Sequence, residues 1–200
     1  MQRKAIAALM ISLLLLSACG RGAGEQTFEA FRDTLTGKFV TTTAQVRVQR
    51  GDTVTDYTLT CQELPDGYDL TVTAPEQAAG VTAHLRDGAS TLAFDDMILP
   101  AGDLNGAGLT PLTALPYVVQ AIRGGYVDLT WTEDGLQVVQ LITDDHTAVR
   151  LYLDGTVPQC AELSVDDTLC LRCTMENWNL EQGSMNDESQ DPNLGRDQSQ

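Results

Sequence analysis

The sequence predicts a mainly β domain, a many-stranded curved antiparallel sheet that takes two or three short helices against its inner face. Three observations carry this. Apolar and polar residues alternate through many short runs, Asp-Gly pairs separate those runs, and only two stretches repeat with the helical period.

Residues 1–18 stand outside that domain. Arg3 and Lys4 precede an apolar stretch from Ala5 to Leu16, and Ser17 and Ala18 follow, which is the layout of an export signal. The stretch is too short for a hydrocarbon core of roughly 30 Å, and the only other candidate, Leu115 to Ile122, is shorter still. A permanent transmembrane helix is therefore not expected. Leu16-Ser17-Ala18-Cys19, followed by Gly20, resembles the bacterial lipobox, in which diacylglycerol is attached to the cysteine before cleavage ahead of it. The resemblance implies that Cys19 is the lipidated mature N-terminus, anchored on the outer face of the cell membrane. Two or three acyl chains, at about 0.8 kcal/mol per buried methylene, suffice for stable anchoring.

Loss of residues 1–18 removes two cations and no carboxylate, so the net charge of −16 falls by a further two units. So acidic a chain is repelled by nucleic acid phosphates and by anionic lipid, and neither is expected as a partner of its exposed face. The remaining length suits one domain, over residues 25–180, with a lipidated flexible tether at 19–24 and a disordered acidic tail at 181–200.

Within Glu25 to Lys38, Phe28, Phe31 and Leu35 fall at spacings of three and four, the apolar face of a short helix that ends near Gly37. The period then changes to two. Ala44, Val46 and Val48 alternate with polar residues, as do Tyr57, Leu59 and Cys61, then Tyr68, Leu70 and Val72, Val127, Leu129 and Trp131, and Val149, Leu151 and Leu153. Asp66-Gly67, Asp87-Gly88, Asp134-Gly135 and Asp154-Gly155 tolerate the positive dihedrals of tight turns, which makes the runs a meander of hairpins. Between them, Pro116 is placed to open a second helix that turns Leu115, Val118, Val119 and Ile122 inward and stops at Gly124.

Little in the chain points to chemistry. His84 and His146 have no ligand-spaced partners, so no metal site is expected, and no cofactor motif or catalytic signature occurs. The pairs Asp95-Asp96, Asp144-Asp145 and Asp166-Asp167 fit turns better than acid and base roles, and Arg50-Gly51-Asp52 reads as a hairpin turn rather than an adhesion tripeptide. Cys170 and Cys173 have redox spacing but sit on a strand, where residues three apart point to opposite faces. With Asp166-Asp167 as a two-residue turn, counting outward sets Cys160 opposite Cys173 as a non-hydrogen-bonded pair, close enough for a disulfide in an exported protein; four buried thiols are the alternative.

The order of lipobox, short helix, strands, Pro-Glu segment (75–83), proline-bounded helix and closing hairpins, with the stretch Leu109 to Gly125, resembles the LolA/LolB-like lipoprotein superfamily. Within it, the chain is most similar to GerS-like germination lipoproteins of Gram-positive spore formers. The resemblance implies an incomplete barrel whose concave side is covered by helices. In carrier members that side holds acyl chains; in the sporulation branch the domain serves a protein partner.

Two functions remain open. One is a non-catalytic binding module for an envelope or sporulation protein; the other is a binder of acyl chains or a similar apolar ligand. In the second, Phe28, Phe31, Leu35, Leu115, Val118, Val119 and Ile122 are candidate cavity-lining residues.

Overall fold

The computed structural model describes residues 22–102, 104, 109–144 and 146–182, with the backbone alone at Arg50. Cys19, the export signal and residues 183–200 lie outside them. The elements run α1 (Ala23–Asp33), β1 (Lys38–Arg50), β2 (Thr53–Leu64), β3 (Gly67–Ala74), β4 (Thr82–Arg86), β5 (Ser90–Phe94) and β6 (Met97–Gly102). They continue with α2 (Pro111–Gly124), β7 (Tyr126–Glu133), β8 (Leu136–Ile142), β9 (Thr147–Asp154), β10 (Val157–Val165) and β11 (Thr168–Gln182).

The strands form one open antiparallel sheet in the order β6-β5-β4-β3-β2-β1-β11-β10-β9-β8-β7. Two meanders thus meet where the first strand pairs with the last, from Lys38 opposite Gln182 to Val48 opposite Leu171. β6 and β7 are the free edges, and α2 carries the chain from one to the other. It crosses the inner face over β1, β2, β8, β10 and β11, while α1 lies over β7 and β8.

Turns fall at or beside the expected pairs: Asp134-Gly135 and Asp166-Asp167 are two-residue turns, whereas Leu64 pairs with Gly67 and Asp154 with Val157, so those turns are Pro65-Asp66 and Gly155-Thr156. Asp134 and Gly135 have φ of 51° and 83°, and Asp166 and Asp167 of 47° and 61°, the left-handed values a two-residue hairpin needs. Arg50 pairs with Thr53, so Gly51-Asp52 is the β1–β2 turn.

Three expectations need correction. The second helix starts at Pro111, because Thr110 caps it: the Thr113 N–H donates to Thr110 Oγ1 at 3.3 Å and the Thr110 N–H to Thr113 Oγ1 at 2.8 Å. Pro111 is the proline at the first position, and Pro116 lies inside the helix. The tether expected over 19–24 overlaps α1, since Ala23 and Gly24 are helical; a Cβ on Gly24 would stand 2.7 Å from Thr130 Oγ1, so the helix start is packed on β7. At the other end β11 reaches Gln182, two residues into the expected tail, because Glu181 and Gln182 pair with Phe39 and Lys38.

Two arginines lock the helices together. Arg32 donates to the carbonyls of Ile122 (2.7 Å) and Gly125 (2.6 Å), satisfying the end of α2, and its guanidinium lies 4.8 Å from the Phe28 ring centre. Arg123 donates to both oxygens of Glu63 (2.9 and 2.7 Å) and to the carbonyls of Leu35 (2.9 Å) and Lys38 (2.6 Å). Glu63 also accepts from the Val40 N–H at 2.9 Å, so this buried carboxylate is fully engaged.

Candidate docking surface

The seven residues proposed as cavity lining are core, six on the helices and Leu35 in the turn after α1, which ends at Asp33 rather than near Gly37. Phe28, Leu115, Val118 and Ile122 are 0% exposed and Phe31, Leu35 and Val119 are 1% exposed, packed in one cluster with Val40, Ala44, Val46, Leu59, Leu70, Leu141, Leu151 and Leu163. The physical reason is that α2 spans the middle of the concavity and α1 closes the β7–β8 end, so helix side chains interdigitate with the strands they face. Among the described residues, a cleft of about 180 Å³ remains on the inner face where α2 begins, between Val48, Thr55, Tyr57 and Pro111, and others open on the surface. One of about 330 Å³ lies at the end of α2, between Tyr117, Gln120, Gly124, Gly125, Thr143 and Asp144. Its Asp144 carboxylate accepts from the N–H groups of His146 (2.9 Å) and Thr147 (2.7 Å) and from the Tyr117 hydroxyl (3.1 Å). These bonds, that of His146 first, hold Asp144 below the usual carboxylate range. Every one of those partners is structural, and the cleft is a loop anchor.

The cysteines do not gather. Cys160 faces Thr174, and Ala161 faces Cys173. The turn register holds from Val165 opposite Thr168 to Ser164 opposite Leu169, and then Cys170 is bulged out so that Leu163 meets Leu171. The bulge shifts the pairing by one residue. Cys160 and Cys173 therefore lie on opposite faces, and the expected pairing is corrected: Cys61, Cys160, Cys170 and Cys173 are free thiols. Burial pushes the Cys61, Cys160 and Cys173 thiols up, which makes them poor nucleophiles.

The histidines pair with aspartates on the surface, His84 with Asp69 and His146 with Asp166, each at 2.8 Å. Among the described residues no group of three or more His, Cys, Asp or Glu converges on a metal position.

What the sequence analysis missed is the β6 edge. A row of opposed residues runs across the inner face through Thr42, Cys61, Leu70, Ala83, Leu92 and Leu99. Thr42, Cys61, Leu70 and Ala83 are at most 1% exposed, Leu92 is half-buried and Leu99 is 60% exposed. Neither helix packs extensively on β5 or β6, so the core row runs out from under its cover. Phe94, Met97 and Ile98 on the same hairpin are also exposed. The signal was available as Met97-Ile98-Leu99-Pro100, an apolar run without alternation, which belongs to a strand with neither face toward water or to an edge that meets something.

No family model and no curated protein matches this sequence. Among solved structures, an uncharacterised conserved protein from Thermus thermophilus is 8% identical, with 78% of this chain and 86% of that one covered and a TM-score of 0.46. A LolA superfamily protein from Nitrosomonas europaea is 11% identical (80% and 94% covered, TM-score 0.43). The lipoprotein LppX from Mycobacterium tuberculosis is 13% identical (78% and 93% covered, TM-score 0.36). The nearer likeness to germination lipoproteins is not among the findings.

Proposed function

We propose that this chain is a lipid-anchored extracytoplasmic lipoprotein that works as a non-catalytic binding module for an envelope protein. The observation that supports this reading is the filled middle of the concavity: the chain's own helices occupy the inner face over β1, β2, β7, β8, β10 and β11, leaving recognition mainly to the outer surface and the edges. The strongly acidic surface favours a partner with a basic patch, bound more weakly as salt rises. Cys19 would hold the module beside the membrane, with α1 beginning four residues later.

A second reading, an acyl chain or similar apolar ligand, is favoured by the uncovered apolar row at β5–β6. Native mass spectrometry of the delipidated chain with palmitate and with phosphatidylethanolamine separates the two. The expected spectrum carries the ligand-free mass; a one-to-one adduct that survives activation overturns the protein-partner reading. For the anchor, Cys19→Ala is expected to leave an unprocessed, unlipidated precursor. Intact mass measurement of native protein with an unmodified Cys19 would refute it.

A further inference from the structure

Four large apolar side chains crowd one small hairpin: Phe94 is 40% exposed, Met97 60%, Ile98 71% and Leu99 60%. Their arrangement follows from the register. Phe94 faces Met97, Ala93 faces Ile98 and Leu92 faces Leu99 across the two-residue turn Asp95-Asp96. In such a hairpin the turn-flanking pair is hydrogen-bonded and pairs alternate outward, so Met97 and Leu99 spend their backbone groups on β5. Ile98 turns its N–H and C=O away from the sheet, and Pro100 adds an outward carbonyl with no donor. Over residues 97–100, β6 thus presents one donor, two acceptors, and apolar side chains on both faces, before the bulge at Ala101 ends the regular ladder.

Charge around this edge is one-sided. From Asp87 to Gly102 the sequence holds Asp87, Asp95 and Asp96 and no cation. The exposed tip of the hairpin is a pair of carboxylates. An anionic bilayer is repelled by such a tip, and insertion would bury two carboxylates. A second copy brings the same acidic body against itself.

We infer that β6 is the docking edge for an extended segment of a basic partner protein. The segment adds a strand beside residues 97–100, sets apolar residues against Met97 and Leu99 on one face and Ile98 on the other, and places a Lys or Arg at Asp95-Asp96. This rests on the binding-module reading and gives it a surface and a partner chemistry.

The test uses the full-length anchored chain in its own membranes, with photoreactive benzoyl-phenylalanine replacing Ile98, or replacing Leu129 on the opposite edge. The expected product at position 98 is a crosslink into one partner segment that alternates apolar residues and carries Lys or Arg. A synthetic peptide of that segment should slow hydrogen exchange at the Ile98 amide. Ile98→Lys, at an exposed position where folding is unaffected, should weaken the peptide roughly tenfold, and Leu129→Lys should leave it unchanged. Ile98→Pro removes the outward donor while sparing the bonds to β5, and should weaken it too. A position-98 crosslink to lipid or to a second copy overturns the inference. So does a partner captured only from position 129, which leaves the binding-module reading standing; no partner from either position, together with a bound acyl ligand, overturns both.

Discussion

The two ends of the sheet solve the same problem differently. At the β7 end, α1 covers the inner face, Asp128 is bulged out of the pairing between Val127 and Leu129, and Asp128 and Glu133 put charge along the strand. These are the ordinary defences of a free edge. At the β6 end there is no charge along the strand and no extensive helix cover, and pairing is blunted by Pro100 and by the bulge at Ala101, where Ser90 pairs with Gly102 after Thr91 pairs with Pro100. Apolar side chains are exposed at both ends, Tyr126 and Leu129 on β7 and Phe94, Met97, Ile98 and Leu99 on β5–β6, but only on β6 do they stand side by side without an intervening charge.

That contrast can be broken in stability. Phe28→Ala, in the helix that closes the β7 end, should cost about 3–5 kcal/mol in urea unfolding, whereas Met97→Ala should stay within about 0.5 kcal/mol. Equal losses at the two positions would mean that β6 is packed like core. Next in size, Arg123→Ala strands the Glu63 carboxylate beside Val40 and frees the carbonyls of Leu35 and Lys38. Allowing for the part-exposure of Arg123, we expect a loss of roughly 2–3 kcal/mol, recovered in part by Glu63→Gln in the same chain. No recovery would mean that the carbonyl contacts, not the charge pair, dominate.

Much of the fold was legible. Period-two runs located the hairpins, and Phe28 and Phe31 located α1, because a helix that buries one face must write that face at spacings of three and four; Leu35, at the next such spacing, is buried from the turn that follows Asp33. The bulge at Cys170 was hidden by counting from the turn alone. Burial of Leu171, Cys173 and Met175 requires Leu171, and not Cys170, to share a face with Leu163, and the outward Glu162–Arg172 ion pair at 3.1 Å follows from the same shift. The start of α2 was misplaced because either proline suits a first helical turn; the Thr110–Thr113 capping box decides between them. The β6 edge stood in the sequence as the unalternating run Met97-Ile98-Leu99-Pro100, but whether such a run is buried depends on which strands a crossover helix reaches, and that is a property of the assembled sheet.

Smaller effects sharpen the same comparison. Thr110→Ala removes the cap of α2 and should cost about 1 kcal/mol, read as a lower urea midpoint. A circular-dichroism melt with no change would show that packing alone fixes the helix start. Smallest of all, Asp144 has a lowered folded-state value, so its contribution is present at neutral pH and is lost as pH falls through that value. Asp144→Asn should flatten the acid side of the stability profile slightly; an unchanged profile would show that its bonds to His146, Thr147 and Tyr117 form equally well in the protonated state.

The seam between β1 and β11 has a consequence for how the molecule is made. Its central ladder joins the first strand to the last, so contact order is high and loop closure spans nearly the whole chain. A polypeptide that emerges N-terminus first exposes Val40, Ala44 and Val46 on a half-paired β1 until β11 arrives. Folding cannot complete until β11 is available, and the half-paired sheet must be kept from aggregating until then.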